Sequence, residues 1–333
     1  MSATWIGTYG GASLHPDFGS STGVWGDSPP KYWGYNYNTV AASTPLVDMR
    51  GQFAFGDESD IGPPSPPYPT ANAIGYPITS NMIYEGDTYG TTGIGNVTSS
   101  SGSDCHLFIW QPAYNLEYEI YAVANGPGQG ISYQGGAIFA LGTNHMRPDG
   151  WTSSDASGAA VIPVLPAYDE ATSANGIHHM LRMSFNHTHN SYDWPASHRA
   201  GVSATTVPNM GAIWCLDPNY DISGFSPTNQ RILQALKDYG AFVADNGGSG
   251  FLQGMQDARW DDNDINNLKQ VHVSNGFFRD VSSLKFAANS YAAGVGPASV
   301  SSVGTASSGG SDSSVGMIVQ SHHRNSQPRA QSK

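Results

Sequence analysis

Three carboxylates within four residues are the side chains of this sequence best suited to acid–base chemistry. Asp57, Glu58 and Asp60 stand in a chain of 333 residues of which only 12% are charged. Like charges this close raise one another's pKa, and a carboxyl group with a raised pKa can act as a general acid at neutral pH. Carboxylate pairs also bind Ca²⁺, so a structural calcium ion is one alternative and a solvated loop is another. We expect no other cofactor.

A second acidic pair, Asp169 and Glu170, follows Pro166. If the pair ends a strand that faces a cleft, only one of its carboxylates can serve that cleft, because adjacent strand residues point to opposite faces. We therefore predict that Glu58 or Asp60 acts as acid or nucleophile, and that Asp169 or Glu170 is its partner.

Three histidines are candidates to orient or relay protons beside these carboxylates. His106 stands two residues after Asp104, on the same face if a strand has begun there, and an aspartate can orient an imidazole as a general base. His179 and His198 belong to a histidine-rich stretch between residues 178 and 198. The structural alternative for each is a histidine satisfied in the core or at a strand edge.

The histidines also raise the question of a metal site. His187 and His189 would share one face of a strand, a spacing that metal ligands use, but no third ligand follows at a fixed spacing. The stretch also has the composition of a polar hairpin turn, and we predict no metal ligands. A His-ligated metalloenzyme remains an alternative that would have to use His15, His106, His179 and His198.

Aromatic residues in turn-rich regions could hold a sugar by stacking on its face. We predict this role for Trp110, Trp151 and Trp194, although most aromatic rings in such a chain will fill the core. Arg182 is a candidate to neutralise the carboxylate of a uronate. With histidine and tyrosine beside it, Arg182 would fit a polysaccharide lyase better than a hydrolase.

The composition indicates which elements must position these residues. Gly (40) and Pro (21) are abundant and aromatic residues make up 11%, whereas the charged residues of long helices and coiled coils are scarce. The abundance of apolar residues, 39%, argues against wholesale disorder. A net charge of −12 argues against nucleic-acid binding. The sequence contains no run of 18 apolar residues, the pattern that would predict a membrane-spanning helix.

Short apolar segments bounded by Gly and Pro predict a mainly β fold, an antiparallel sandwich or barrel-like core with long Gly/Pro-rich loops. The predicted strands are 52–55, 105–110, 117–123, 136–141, 160–165, 179–185 and 212–216. Near the C-terminal end we predict one or two short helices. One begins at the Ser226 cap and includes Val243 before Asp245-Asn-Gly-Gly ends it, and the other begins near Asp261. Residues 1–292 form one predicted domain, and 293–333 a Ser/Gly-rich disordered tail or linker.

Several motifs in chain order resemble those of a largely uncharacterised family of secreted bacterial proteins that are often linked to carbohydrate-binding modules. The resemblance extends from about His15 to Ser283. The motifs are His15-Pro-Asp-Phe-Gly, Glu58-Ser-Asp-Ile-Gly-Pro, Asp104-Cys-His, Gly150-Trp-Thr-Ser-Ser-Asp-Ala-Ser-Gly, Tyr168-Asp-Glu, Ile177-His-His-Met-Leu-Arg, Trp194-Pro-Ala-Ser-His, Ser223-Gly-Phe-Ser-Pro and Ala244-Asp-Asn-Gly.

The resemblance implies an extracellular location and a single contiguous domain, but it supplies no catalytic residues. His15, Glu58, Asp60, His106, His179 and His198 fall inside its motifs, whereas His187 and His189 fall outside them. The chain departs from the family at Cys105 and Cys215, both of which replace other residue types. Two such departures favour a disulfide between them.

These observations predict a secreted, monomeric enzyme that cleaves a polysaccharide, with a glycoside hydrolase that uses paired carboxylates as the leading hypothesis. The alternatives are a polysaccharide lyase that uses His, Tyr and Arg, a non-catalytic carbohydrate-binding or surface protein, and the His-ligated metalloenzyme. The expected partner is the polysaccharide substrate, with no nucleic acid and no membrane.

Overall fold

The structure is a computed structural model that describes residues 12–20, 34–85, 105–126, 130–143, 147–272 and 278–280. It is mainly β, as predicted, with curled mixed sheets that form a half-barrel. The strands are β1 (His15–Asp17), β2 (Tyr37–Thr39), β3 (Leu107–Gln111), β4 (Leu116–Tyr121), β5 (Ala124–Gly126), β6 (Gly130–Ser132), β7 (Gly135–Ala140), β8 (Leu181–Phe185), β9 (His189–Tyr192), β10 (Asn209–Met210), β11 (Ile213–Leu216), β12 (Ala241–Asn246), β13 (Phe251–Gln253) and β14 (Phe278–Asp280).

The helices are short. The α-helices are α1 (Tyr168–Thr172), α2 (Pro227–Asp238) and α3 (Asp262–Ile265), and the 3-10 helices are Gly56–Glu58, Pro112–Tyr114, Ile162–Val164 and Asn266–Gln270.

The larger sheet has six strands in the order β1-β13-β8-β12-β11-β14. Its β1–β13 and β12–β8 pairs are parallel and its other pairs are antiparallel, so the predicted β core is mixed rather than purely antiparallel. Leu181 and Met183 of β8 pack with Ile232 and Leu236 of α2 in the main hydrophobic core. Because side chains alternate along a strand, Arg182 and Ser184 lie on the opposite face of this sheet.

The smaller sheet has four strands in the order β2-β3-β4-β7. Tyr118 and Ile120 of β4 pack with Phe53 and Tyr76 in a second hydrophobic core. The opposite face of this sheet carries Glu117, Glu119 and Phe108. It meets the polar face of the larger sheet through Tyr35, whose ring contacts both Phe108 and the Arg182 guanidinium.

Five predicted strands are confirmed as β3, β4, β7, β8 and β11. The strand predicted over 160–165 is wrong, because Pro163 lies in the first turn of the 3-10 helix Ile162–Val164 and a proline cannot donate to a strand ladder. The strand predicted over 52–55 is reduced to a single bridge between Phe53 and Tyr133. The predicted tail, residues 293–333, lies outside the described residues.

The helix predicted from Ser226 is confirmed at its start and wrong at its end. The Ser226 hydroxyl accepts a hydrogen bond from the Asn229 amide, and Pro227 occupies the first helical position. The helix stops at Asp238, and Gly240 then adopts a left-handed φ of +75°, which is typical of the residue after a helix. Val243 and Asp245 therefore belong to strand β12. The predicted helix near Asp261 is confirmed as α3, with Asp261 as its cap.

Candidate active site

The two sheets enclose a group of polar side chains that we call the inter-sheet cluster. It holds six carboxyl groups beside one arginine and one histidine. Its members are Asp17, Tyr35, Glu85, His106, Glu117, Glu119, Asp155, Arg182 and Asp245. Such a density of titratable groups between packed sheets is unusual for structural residues and is typical of functional sites.

Arg182 lies at the centre of the inter-sheet cluster and has no exposed surface. Its Nη2 atom lies 2.8 Å from Asp155 Oδ2, as an ion pair rather than an aligned hydrogen bond, and its guanidinium lies 5.0 Å from the centre of the Tyr35 ring. Its Nε and Nη1 atoms have no hydrogen-bond partner in the described part of the chain. Because an arginine stays protonated, it places a fixed positive charge among the carboxyl groups.

Asp17 and Asp245 lie on the same face of the larger sheet as Arg182. Asp17 pairs in register with Gln253 at the end of β13, and Asp245 pairs with Ser184 of β8. A bulge between Val243 and Asp245 shifts the β12 register by one residue, which turns the Asp245 side chain onto this face instead of into the hydrophobic core. Both aspartates are only partly buried, and we call the position beside Arg182 that they flank the recess.

Burial disfavours the charged form of both aspartates. Burial, reinforced by the Glu85 carboxylate, raises the pKa of Asp17 to about 7, although Arg182 acts in the opposite direction. Burial, reinforced by Asp155, likewise raises the pKa of Asp245 to about 7 against the effects of Arg182 and His106. At neutral pH each carboxyl group is therefore close to half protonated, the condition under which a carboxyl group can both donate and accept a proton.

His106 forms an ion pair with Glu85 inside the cluster. Its Nδ1 lies 2.6 Å from Glu85 Oε2, and its Nε2 donates to the Ser154 carbonyl oxygen at 2.8 Å. The pKa of Glu85 is lowered because the charge and hydrogen bonds of His106 outweigh the effect of burial. With both ring nitrogens engaged, His106 orients its neighbours and is not placed to act as the predicted general base.

Glu117 and Glu119 hold the loop that fills the space between the sheets. Their spacing of two residues on β4 puts both on one face. Glu119 accepts hydrogen bonds from the Ser154 and Val161 amides, and Glu117 accepts one from the Ile162 amide. Burial, reinforced by the Glu119 carboxyl group, raises the pKa of Glu117 well above its ordinary value. Burial, reinforced by the Asp155 carboxyl group, also raises the pKa of Glu119.

Four of the predicted site residues, Glu58, Asp60, Trp151 and His198, meet around Arg147 in a group we call the surface cluster. Arg147 donates to the Asp60 carboxylate and to the Glu58 carbonyl oxygen, and its guanidinium lies 5.3 Å from the centre of the Trp151 ring. The Ile138 amide also donates to Asp60. Glu58 Oε2 accepts from the Thr152 amide at 3.3 Å and lies 3.9 Å from His198 Nε2. Asp60 is therefore a structural anchor.

Asp169 and Glu170 are not at the end of a strand, as the sequence analysis expected, but in the first turn of α1. Asp169 pairs with Arg259 at 2.7 Å, and both side chains are more than half exposed. Glu170 lies 3.3 Å from His179 Nε2, and the hydrogen bond between them lowers the pKa of Glu170 and raises that of His179 against the opposing effects of burial. Each of these predicted catalytic residues thus has a partner of its own near α1.

The predicted substrate-binding residues have different environments. Trp151 belongs to the surface cluster and Arg182 to the inter-sheet cluster. Trp110 lies on β3, opposite Glu117 in register. Trp194 is partly buried, and its indole Nε1 has no hydrogen-bond partner in the described ranges. Trp151 and Arg182 therefore belong to different clusters, while Trp110 stands beside Glu117 of the inter-sheet cluster.

The residues of the metal and disulfide hypotheses are also separated. His15 stacks on Phe251 with ring centres 4.1 Å apart, whereas His106 pairs with Glu85 and His179 with Glu170. Within the described residues, no group of three or more His, Cys, Asp or Glu is arranged to bind a metal ion. Cys105 lies in the hydrophobic core of the smaller sheet and Cys215 on β11 of the larger one, and no disulfide joins these two residues.

Sequence reasoning missed Asp17, Asp155 and Asp245, although each stands in a motif of the resemblance. The sequence pattern predicts Asp245 at the end of a helix, and Asp17 has no signal of its own beside His15. Glu117 and Glu119 carried a usable signal, because two carboxylates spaced by two residues in an otherwise apolar strand must share one face. Nothing local distinguishes Glu85.

The loop of residues 150–162 connects the two clusters. Its Thr152 amide binds Glu58 of the surface cluster, while Ser154 binds Glu119 and Asp155 pairs with Arg182 of the inter-sheet cluster.

Comparison of the chain with family models, with curated proteins and with solved structures found no match in any of the three. In the part of the chain that the structure describes, no helix has the length and apolar character needed to cross a bilayer.

Proposed function

We propose that the protein is a secreted enzyme that cleaves the glycosidic bonds of a polysaccharide, with Asp17 and Asp245 as its catalytic carboxyl pair. The observation that carries the proposal is that both carboxyl groups have a pKa raised to about 7 and flank Arg182 in one recess. The substrate class rests on the low charge and aromatic content of the chain and on its family resemblance.

The chemistry requires one protonated and one ionised carboxyl group. The protonated member donates to the glycosidic oxygen as the bond breaks, and the ionised member takes a proton from the attacking water or attacks the sugar itself. With both pKa values near 7, this mixed state is well populated at neutral pH. The fixed positive charge of Arg182 stabilises an ionised carboxylate beside it, so Asp17 and Asp245 are not both protonated.

The separation of the two strands argues against the retaining form of the reaction. β13 and β8 lie between β1 and β12, so the backbones that carry Asp17 and Asp245 are three strand spacings apart, about 14 Å. Retaining enzymes hold their carboxyl groups roughly 5–5.5 Å apart and inverting enzymes roughly 6.5–9.5 Å apart, so an inverting mechanism would require both side chains to lean toward each other over Arg182.

The test is the release of reducing sugar from a panel of neutral and acidic polysaccharides. We expect the rate of reducing-sugar release to fall about 10²–10⁴-fold in each of the Asp17→Asn and Asp245→Asn variants, which is the usual contribution of a general acid or base. Asp169→Asn is the matched control and should keep full activity, because its partner Arg259 is exposed. Wild-type activity in both recess variants would remove this pair from the mechanism.

A polysaccharide lyase is the second candidate, because Tyr35 contacts both Arg182 and His106 as such a mechanism would need. Burial holds the pKa of Tyr35 well above its ordinary value, which weighs against Tyr35 as a base. A lyase leaves an unsaturated sugar that absorbs ultraviolet light, whereas a hydrolase does not. If no polysaccharide yields either product, the non-catalytic binding protein becomes the better account.

A further inference from the structure

We propose that a surface depression beside the surface cluster is a second sugar-binding site, separate from the inter-sheet recess, and that it holds a neutral sugar unit. The depression has a volume of about 360 Å³ and is lined by Asp149, Gly150, Tyr192, His198 and Arg199. That volume lies within the usual range of small-molecule sites, about 300–1,000 Å³. The ligand class rests on the proposed function, while the site itself rests on its own geometry.

Polar groups with unused hydrogen-bonding capacity converge on this depression. Within the described ranges, neither the Asp149 carboxylate nor the Tyr192 hydroxyl has a hydrogen-bond partner, and Arg199 makes only a 3.4 Å contact with the Asn190 carbonyl oxygen. Burial and the Asp149 charge raise the pKa of Tyr192 while Arg199 lowers it, so both charged groups act on the same hydroxyl. Asp149 and Arg199 do not pair with each other.

These groups match the chemistry of a sugar. A carboxylate only accepts hydrogen bonds and a guanidinium only donates them, so a ligand that satisfies both must do both, as sugar hydroxyls do. One positive and one negative charge leave no net charge to attract a phosphate or a metal ion. The partly buried Tyr192 ring adds an apolar surface for the face of the sugar.

The walls of the depression are fixed before any ligand arrives. The Gly150 amide donates to the Ser197 carbonyl oxygen at 2.7 Å, and the Ser197 hydroxyl donates to the Trp151 carbonyl oxygen at 2.9 Å. His198 Nδ1 donates to the Ala156 carbonyl oxygen at 3.0 Å, which sets the orientation of the ring. Preorganised walls lower the entropy that binding costs.

The test counts bound oligosaccharides by isothermal titration calorimetry in an Asp17→Asn/Asp245→Asn background, so that hydrolysis cannot interfere. The probes are cellohexaose, xylohexaose and maltohexaose. When Asp149→Asn and Arg199→Gln are added to this background, we expect the protein to bind one equivalent less of at least one probe, or to bind that probe at least tenfold more weakly. The matched control adds Asp48→Asn and Arg50→Gln, an exposed ion pair elsewhere on the surface, and should bind as the background does.

Unchanged stoichiometry and affinity in the depression variant, or no binding of any probe, would overturn the inference. Binding of inorganic phosphate that depends on Arg199, without sugar binding, would also contradict it. Thermal unfolding checks that all variants fold. Failure of the proposed function is seen separately, as absence of reducing sugar from the wild-type protein, and leaves the binding result readable.

Discussion

The inter-sheet cluster and the surface cluster both combine carboxylates with an arginine, but their surroundings differ. In the surface cluster, Asp60 accepts from Arg147 and from a backbone amide, and Glu58 is 37% exposed at its side chain. In the inter-sheet cluster, Arg182 and Glu119 have no exposed surface, and the pKa values of Asp17 and Asp245 are raised to about 7.

The comparison teaches that closeness in sequence does not decide which carboxyl groups the fold gathers around a buried arginine. Glu58 and Asp60 are close together because of their sequence; Arg147 and the Ile138 amide donate to Asp60, and the Thr152 amide donates to Glu58. Asp17 and Asp245 are more than two hundred residues apart in the chain, and only the packing of two sheets brings them to one recess. Burial, rather than the count of neighbouring charges, is the main cause of their raised pKa.

The largest effect on stability is expected when the buried arginine is replaced, in Arg182→Met, compared with the exposed arginine, in Arg259→Met. Removing Arg182 leaves Asp155 buried without its partner, and we expect a loss of about 3–5 kcal/mol in the free energy of unfolding. Arg259 is exposed, so its removal should leave the denaturation midpoint almost unchanged. Urea denaturation measures both. Equal effects in the two variants would mean that the buried ion pair has no special role.

The pH dependence of stability should carry the signature of the inter-sheet cluster. Because the folded-state pKa of Asp17 and Asp245 is raised above the unfolded value of about 4, the folded state binds more protons between these values. Their stabilising contribution is complete below about pH 4 and is lost as the pH rises through about 7. We expect the free energy of unfolding to fall by about 1–3 kcal/mol between roughly pH 5 and pH 8.

The Asp245→Asn variant should reduce this slope, whereas Asp169→Asn should leave it as it is. Urea denaturation midpoints at several pH values measure both slopes. A wild-type protein whose stability rises over this interval would contradict the raised pKa values. Glu85 and Glu170, whose pKa values are lowered, act with the opposite sign at acidic pH, outside the interval. Burial lowers the pKa of His15 to about 4, so His15 opposes the slope in the lower part of the interval, up to about pH 6.5.

The smallest effect is expected at the surface cluster. Glu58→Gln keeps the shape of the side chain and loses a charge that lies 3.9 Å from His198. We expect a change below about 1 kcal/mol in the free energy of unfolding and an unaltered rate of reducing-sugar release from a short soluble substrate. A large loss of rate in Glu58→Gln, with Asp17→Asn still active, would reverse the assignment of the two clusters.

The mainly β fold was predictable from composition and from short apolar segments between turns, and the starts of α2 and α3 from their capping residues. The site was only partly predictable. Glu58, Asp60, Trp151 and His198 do meet, but the partnership of Glu58 or Asp60 with Asp169 or Glu170 depended on a strand where α1 forms. Asp245 enters the recess only because Gly240 ends α2 early and a bulge turns the strand, and neither feature has a strong local signal.

The most direct test of the central claim is an NMR titration of protein labelled with ¹³C at the aspartate side-chain carboxyl carbon. Aspartate labelling excludes Glu117 and Glu119, so the titrating signals can be assigned with the Asp17→Asn and Asp245→Asn variants. The account predicts two aspartate signals that titrate near pH 7 and disappear one by one in these variants. If every aspartate titrates at or below about pH 4, the ordinary value, the recess does not hold a catalytic carboxyl pair.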